Sequence, residues 1–258
     1  MTSWDYSEED LISGLKEIGI KQGDTLLVHV SFGLLGRLKD SDNSNSSSQI
    51  LLNSFKTVLG ESGTLLIPTY TYSFCNGENY QVEKTPSTIG PFPEFFRVQE
   101  HVQRSRDPIF SIAGLGPKTT SLLNNLPATC FGDNCVYDRL TEINGKICMI
   151  GLGLQWATFR HFIEQSVKIP ARYSKNFSGS IIENNQTKDE VWDYFVRHLD
   201  DYCYPDGRRL ENKARELGYC KTSIVGRGEI SQINCKNFLK LGIKMLKEDP
   251  WFTVKGHT

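Results

Sequence analysis

No stretch of the chain approaches the roughly 20 consecutive apolar residues needed to cross a bilayer. The opening Met1-Thr-Ser-Trp-Asp-Tyr-Ser-Glu-Glu-Asp10 has neither the basic start nor the apolar run of a secretory signal. A cytoplasmic protein with no membrane partner is expected. Excess charge of one sign is also missing: 29 Lys and Arg stand against 30 Asp and Glu, which leaves no field for a nucleic-acid backbone or an anionic surface. Nucleic acid is not an expected partner. The seven cysteines, at 75, 130, 135, 148, 203, 220 and 235, are odd in number, scattered and without a CxxC pair, so neither a disulfide framework nor a zinc ribbon is indicated. What is present is globular in character. Over 258 residues, 38% are apolar, 11% aromatic and 23% charged, enough to bury a full-sized core.

Apolar periodicity gives the order of elements. Ser7 followed by Glu8, Glu9 and Asp10, then Leu11, Leu15 and Ile18, predicts a capped amphipathic helix stopped near Gly19. Thr25-Leu-Leu-Val-His29, Gly63-Thr-Leu-Leu-Ile-Pro68 and Lys146-Ile-Cys-Met-Ile150 are near-continuous apolar runs of strand length, as buried parallel strands require. The polar run 40–48 predicts an exposed loop feeding a helix over 49–59. Further helices are predicted over 91–99, after Pro117, and over 157–168, 188–198, 207–217 and 229–247. Strands are predicted over 109–115 and 219–225, with a hairpin over 177–187. The alternation implies an α/β layered sandwich. No repeat or flexible linker divides the chain, so one domain spanning 1–258 is expected, with 170–218 as a substrate-side subregion.

Three clusters could carry chemistry. His161 and Glu164 fall three apart on one helix face, directly after the glycine-broken strand end Gly151-Leu-Gly153; the carboxylate can then bond the ring and fix its tautomer, as a general base requires. The same spacing also suits a surface pair or half of a metal site, and no further metal-ligating cluster is visible. Val28-His29-Val-Ser31-Phe32-Gly33-Leu-Leu-Gly36 ends the first strand, where open α/β sheets bind ligands. It matches neither a dinucleotide fingerprint nor a phosphate loop, and His29 itself reads as structural. The third cluster holds Arg104, Ser105, Arg106, Asp107 and Ser111. Its arginines suit phosphate, but a pair of arginines near an Asp is usually a surface ion-pair network.

Taken in order, these clusters resemble the aminoglycoside 3-N-acetyltransferase family, the acetyl-CoA-dependent antibiotic acetyltransferases unrelated to the GNAT fold. The matching elements are Gly23-Asp-Thr-Leu-Leu-Val-His29-Val-Ser31 with Gly36, Gly63 to Tyr70, Thr85-Pro-Ser with Gly90, and Arg104-Ser105 with Pro108 and Ser111. Tyr137-Asp-Arg-Leu140 with Gly145-Lys146, and Gly151 followed by Thr158, His161 and Glu164, complete the set. The resemblance implies an α/β/α fold with a mixed sheet, acetyl-CoA as donor, and transfer of acetyl to an amine on a sugar. It further implies His161 as general base and Glu164 as its support. Ser31, Phe32, Gly33, Thr69, Tyr70, Arg104, Ser105 and Ser111 would then line the CoA channel, with Ser31, Thr69 and Ser111 on the pantetheine or thioester and Arg104 near phosphate.

One departure bears on the acceptor. Antibiotic-modifying members commonly carry His before the proline of the Arg-Ser-x-His-Pro stretch, whereas this chain has Asp107. A polycationic acceptor favours an acidic pocket, yet the chain is nearly neutral, and Tyr70, Tyr72, Tyr137 and Trp156 suit stacking on a sugar or nucleobase. These residues, with Asp107, predict a nucleotide-linked amino sugar for surface polysaccharide synthesis as the acceptor, and an aminoglycoside as the alternative. A catalytically silent acyl-CoA-binding protein and a metal-dependent amidohydrolase are rival readings; no metal is expected. The stripe Ile233, Phe238, Leu241 and Met245 on the last helix leaves a homodimer open, though such a stripe also suits core.

Overall fold

The computed structural model describes residues 4–256, and of Asp201 the backbone only. Two parallel pairs form its centre. β1 (Thr25–Val30) lies between β2 (Thr64–Pro68) and β6 (Lys146–Ile150), with Leu27 opposite Leu66 and His29 opposite Met149. Antiparallel strands extend both edges. β5 (Ile112–Leu115) and β4 (Gln103–Arg104) flank β2, while β10 (Gly228–Asn234) and β9 (Cys220–Val225) flank β6, giving the order β4-β5-β2-β1-β6-β10-β9. The central three read as uninterrupted apolar runs because both of their faces are covered.

α1 (Glu8–Glu17), α2 (Ser44–Leu59) and α3 (Pro91–Arg97) cover one face, burying Leu15, Phe55 and Phe96 against Leu26, Val28 and Ile67. α5 (Val136–Glu142), α6 (Phe159–Val167) and α8 (Cys235–Glu248) cover the other with Tyr137, Phe159 and Phe238 against Leu27, Leu66 and Met149. The two-sided cover makes the predicted α/β/α sandwich with a mixed sheet. A second sheet of β3 (Tyr80–Gln81), β7 (Arg172–Glu183) and β8 (Gln186–Arg197) stands beside it, followed by α7 (Arg208–Glu216); the short α4 (Thr119–Leu123) completes the order. Among the described residues no helix is long and apolar enough to cross a membrane.

Three local expectations are corrected. Residues 188–198, predicted helical, are the second arm of a twelve-pair hairpin running from Arg172↔Arg197 to Glu183↔Gln186. Val191, Trp192, Tyr194, Phe195 and Val196 are β-branched or aromatic and fit a pleated half-buried surface. The helix predicted over 229–247 divides: Gly228–Asn234 pairs with β6 and β9, and Asn234 then caps α8 by accepting from the N–H groups of Lys236 and Asn237. α2 starts at Ser44, within the predicted loop, because the Asn43 side chain accepts from the N–H groups of Asn45 and Ser46. The stripe read on the last helix is used inside the protomer, with Ile233 on β10 and Phe238, Leu241 and Met245 on α8 all buried in the core.

Candidate active site

β1 and β6 run parallel and end side by side, so Ser31 and the turn after Ile150 meet at one rim of the sheet; the Ser31 N–H donates to the Ile150 carbonyl at 2.8 Å. The turn requires glycine. Gly151 has φ +70°, and a Cβ there would lie 2.4 Å from the Ser31 carbonyl oxygen. The chain then passes a single 3-10 turn at Leu154–Trp156 and enters α6, which presents His161 in its first turn. The helix stops at Lys168, in the left-handed region at φ 53°, two residues before Pro170. This brings Arg172, the first residue of β7, back against α6.

Those elements assemble a buried charge cluster. Glu164, 1% exposed, accepts from Nη1 of Arg160 one helical turn earlier and from Nε of Arg172 at 2.7 Å. Its Oε2 also lies 3.0 Å from Nδ1 of His161. Burial alone would raise the Glu164 carboxyl, but Arg160 and Arg172 override it and hold the group well below the usual carboxylate range. For His161, burial first and Arg172 second lower the ring to about 3, against the pull of Glu164. The imidazole is therefore neutral at physiological pH, as a base must be. Its side chain keeps 21% exposure, and the Phe131 ring packs edge-on at 5.5 Å. A cleft of about 340 Å³ opens beside Arg160, walled by Trp156, Tyr204, Asp206 and Arg208.

The remaining sequence-predicted residues divide into two groups. Ser31, Phe32, Gly33, Tyr72 and Trp156 stay accessible along the carboxyl rim, Trp156 at 67%. Thr69, Tyr70, Ser105, Asp107, Ser111 and Tyr137 do not; all are buried. Arg104 is not aimed at a phosphate either. Nη1 donates to the carbonyls of Val82 and Thr85, Nη2 to that of Thr69, and Nε to the Thr69 and Ser111 hydroxyls. Thr69 and Ser111 are thus absorbed in holding Arg104, and the Ser105 hydroxyl accepts from the Ile112 N–H. Asp107, 5% exposed, accepts from the N–H groups of Ile109 and Phe110 and from the Tyr194 hydroxyl at 2.7 Å, tying a loop to the hairpin. Tyr137 meets Tyr70, hydroxyl to hydroxyl at 3.4 Å, inside the core.

A larger cleft of about 670 Å³ lies elsewhere, between Leu126 and Trp192, and His161 does not line it. Within it Arg106 is held 2.9 Å from both Glu183 and Glu190, and Lys188 lies 3.0 Å from Glu190. Among the described residues no group of three His, Cys, Asp or Glu could hold a metal ion. Two members of the α6 cluster escaped the sequence reading. Arg160 was accessible to it, four residues before Glu164 on the same helix. Arg172 arrives from another element and carried no signal.

Comparison with known proteins agrees with this architecture. The aminoglycoside 3-N-acetyltransferase family model matches residues 27–247. Aminoglycoside N(3)-acetyltransferase IV of a Salmonella species is 27% identical over 251 residues, 96% of this chain and 90% of the relative. The binary complex of AAC-IIIb with CoASH superposes with a TM-score of 0.79 at 19% identity, covering 94% of this chain and 96% of that one. Sisomicin-bound AAC-VIa does so with a TM-score of 0.82 at 21% identity, covering 96% and 99%. These findings overturn the nucleotide-linked amino sugar and the polysaccharide role, and favour the alternative. The physical error is plain in the structure: net charge says nothing of one pocket, and Asp107, Tyr70 and Tyr137 belong to the interior. The chain belongs to the aminoglycoside 3-N-acetyltransferase family and is an acyltransferase that takes its acetyl group from acetyl-CoA.

Proposed function

We propose that this enzyme acetylates the amine at position 3 of an aminoglycoside by direct transfer, with His161 as general base, and thereby confers resistance to such antibiotics. The observation that carries the chemistry is the neutral, partly exposed His161 backed by the buried Glu164 carboxylate at 3.0 Å, at the carboxyl rim of parallel strands. The acceptor class is supported by family membership and by the names of relatives across most of the chain's length. The amine nitrogen attacks the thioester carbonyl, the C–S bond breaks, and the proton lost by nitrogen passes through Nε2 of His161 to the departing CoA sulfur. Ser31, Phe32 and Gly33 would hold the pantetheine arm on the rim, and Tyr72 and Trp156 would flank the sugar rings.

Cys148, the thiol closest in sequence to α6, is not suited to form a covalent acetyl-enzyme. Mid-strand in β6, it is fully buried, and burial pushes its thiol up to about 12. The test is a thiol-release assay with acetyl-CoA and a panel of aminoglycosides, with mass detection of product. Monoacetylation of at least one aminoglycoside is expected; no turnover on any member of a broad panel, with acetyl-CoA shown to bind, rejects the acceptor class.

A further inference from the structure

Nδ1 of His161 lies 2.7 Å from Nη2 of Arg172 and 3.0 Å from Oε2 of Glu164. A guanidinium N–H can only donate and a carboxylate can only accept, so a neutral ring satisfies one of them at a time. With its proton on Nδ1 the ring donates to Glu164, and Nε2 holds the lone pair that a base needs. With the proton on Nε2, Nδ1 accepts from Arg172 and the ring cannot take a proton at Nε2. We propose that Arg172 is a positioning residue that selects between these tautomers, keeping the unliganded enzyme with the proton on Nε2 and yielding Nδ1 to Glu164 for acetyl transfer. This rests on His161 being the base.

Three features favour Arg172 in the unliganded state. Glu164 is already engaged at both oxygens, by Arg160 at Oε1 and by Arg172 Nε at Oε2, which weakens its demand for an imidazole proton. The Arg172 guanidinium is fixed rather than mobile: Nε is held by Glu164, and Nη1 donates to the Phe195 carbonyl at 3.2 Å across the hairpin. Nη2 is thereby aimed at the ring, and a charged donor makes the stronger bond. The third feature is the charge balance around the ring. Glu164 and Arg160 come from α6, Arg172 from the hairpin, and uncharged Phe131 from the loop preceding α5. Asp206, beyond Arg160, is taken up by Arg208. Cations outnumber the one carboxylate at the ring, so a protonated imidazole is disfavoured. The exchange therefore runs between two neutral forms: Nε2 gives its proton to water, and water returns one to Nδ1.

The experiment is a long-range 1H–15N correlation spectrum of enzyme labelled with 15N histidine, in which protonated and unprotonated ring nitrogens resonate far apart. The His161 peaks are those lost in His161→Ala. In the parent, His161 is expected to show an unprotonated Nδ1, a protonated Nε2 and no titration between pH 5 and 8. Arg172→Met, which removes the donor, is expected to move the proton to Nδ1 and to bring a titration between pH 5 and 7. A parent spectrum with Nδ1 protonated overturns the proposal whether or not any variant folds, and so does an Arg172→Met spectrum that keeps the parent tautomer. The base assignment fails separately, if His161→Ala retains parental turnover.

Discussion

Two arginines, Arg104 and Arg172, are each largely withdrawn from solvent and each begin or end a strand, yet they do different work. Arg104 donates to three main-chain carbonyls and two hydroxyls, and its Cζ sits 5.3 Å over the Tyr80 ring. Among the described residues no carboxylate lies within ion-pair distance of it. Arg172 instead donates to a carboxylate and approaches an imidazole, with one carbonyl as anchor. Partner type separates the roles: carbonyls do not titrate, so Arg104 can only stiffen the loops around β2 and β5, whereas groups that exchange protons make Arg172 part of the chemistry. Sequence motifs favour Arg104 for function; the geometry reverses that order.

The comparison breaks most sharply at the base itself. General-base assistance contributes roughly 10² to 10⁴ in rate, so His161→Ala is expected to lose that much in kcat while acetyl-CoA affinity stays within a few-fold. Calorimetric binding alongside steady-state kinetics checks both halves. Should CoA binding collapse together with turnover, His161 is acting through structure. Next in size is Arg104→Met, which strands several carbonyls and should cost about 2–4 kcal/mol in urea unfolding, with the KM for acetyl-CoA unchanged. A tenfold rise in that KM at unaltered stability would return Arg104 to the phosphate role. Asp107→Ala leaves two N–H groups and the Tyr194 hydroxyl without their acceptor. It should cost about 1–3 kcal/mol and leave the acceptor's KM alone. Burial raises the Asp107 carboxyl, against its hydrogen bonds, in keeping with a sealed structural group.

How far the sequence carried follows from how local each signal is. β1, β2 and β6 were legible because a parallel strand covered on both faces must be apolar throughout. The hairpin arm Gln186–Arg197 was not, because its outer half faces solvent and its apolar spacing no longer separates strand from helix. β10 and α8 fused in the reading since Ile230 and Ile233 fall three apart, as a helix would place them. In the site, His161 and Glu164 were found together because both sit on α6. Arg172 lay beyond a left-handed stop and a proline, where periodicity carries no information. The buried tyrosines misled for a different reason: Tyr70 lies two residues from the exposed Tyr72 and Tyr137 precedes the half-buried Asp138, and composition cannot tell a wall of a cleft from the core behind it.

The smallest expected effect concerns a second histidine, on the sheet itself. His29 lies near the end of β1 beside Met149, its Nε2 buried without a hydrogen-bond partner among the described residues, and burial lowers the ring to about 4. In the unfolded chain a histidine titrates near 6.5. Below that pH the unfolded state takes up a proton that the folded state refuses, so stability is complete above about 6.5 and falls as pH drops towards 4. His161, held at about 3, contributes in the same direction. Each refused proton gives a slope of up to about 1.4 kcal/mol per pH unit. His29→Leu removes one of the two without touching the base, so urea unfolding between pH 5 and 6.5 should show a slope lower by up to one proton while activity at pH 7.5 is kept. If the slope is unchanged, His29 is protonated within the fold. If instead activity falls as far as in His161→Ala, His29 belongs with Arg172, among the groups that serve the reaction, and not with Arg104.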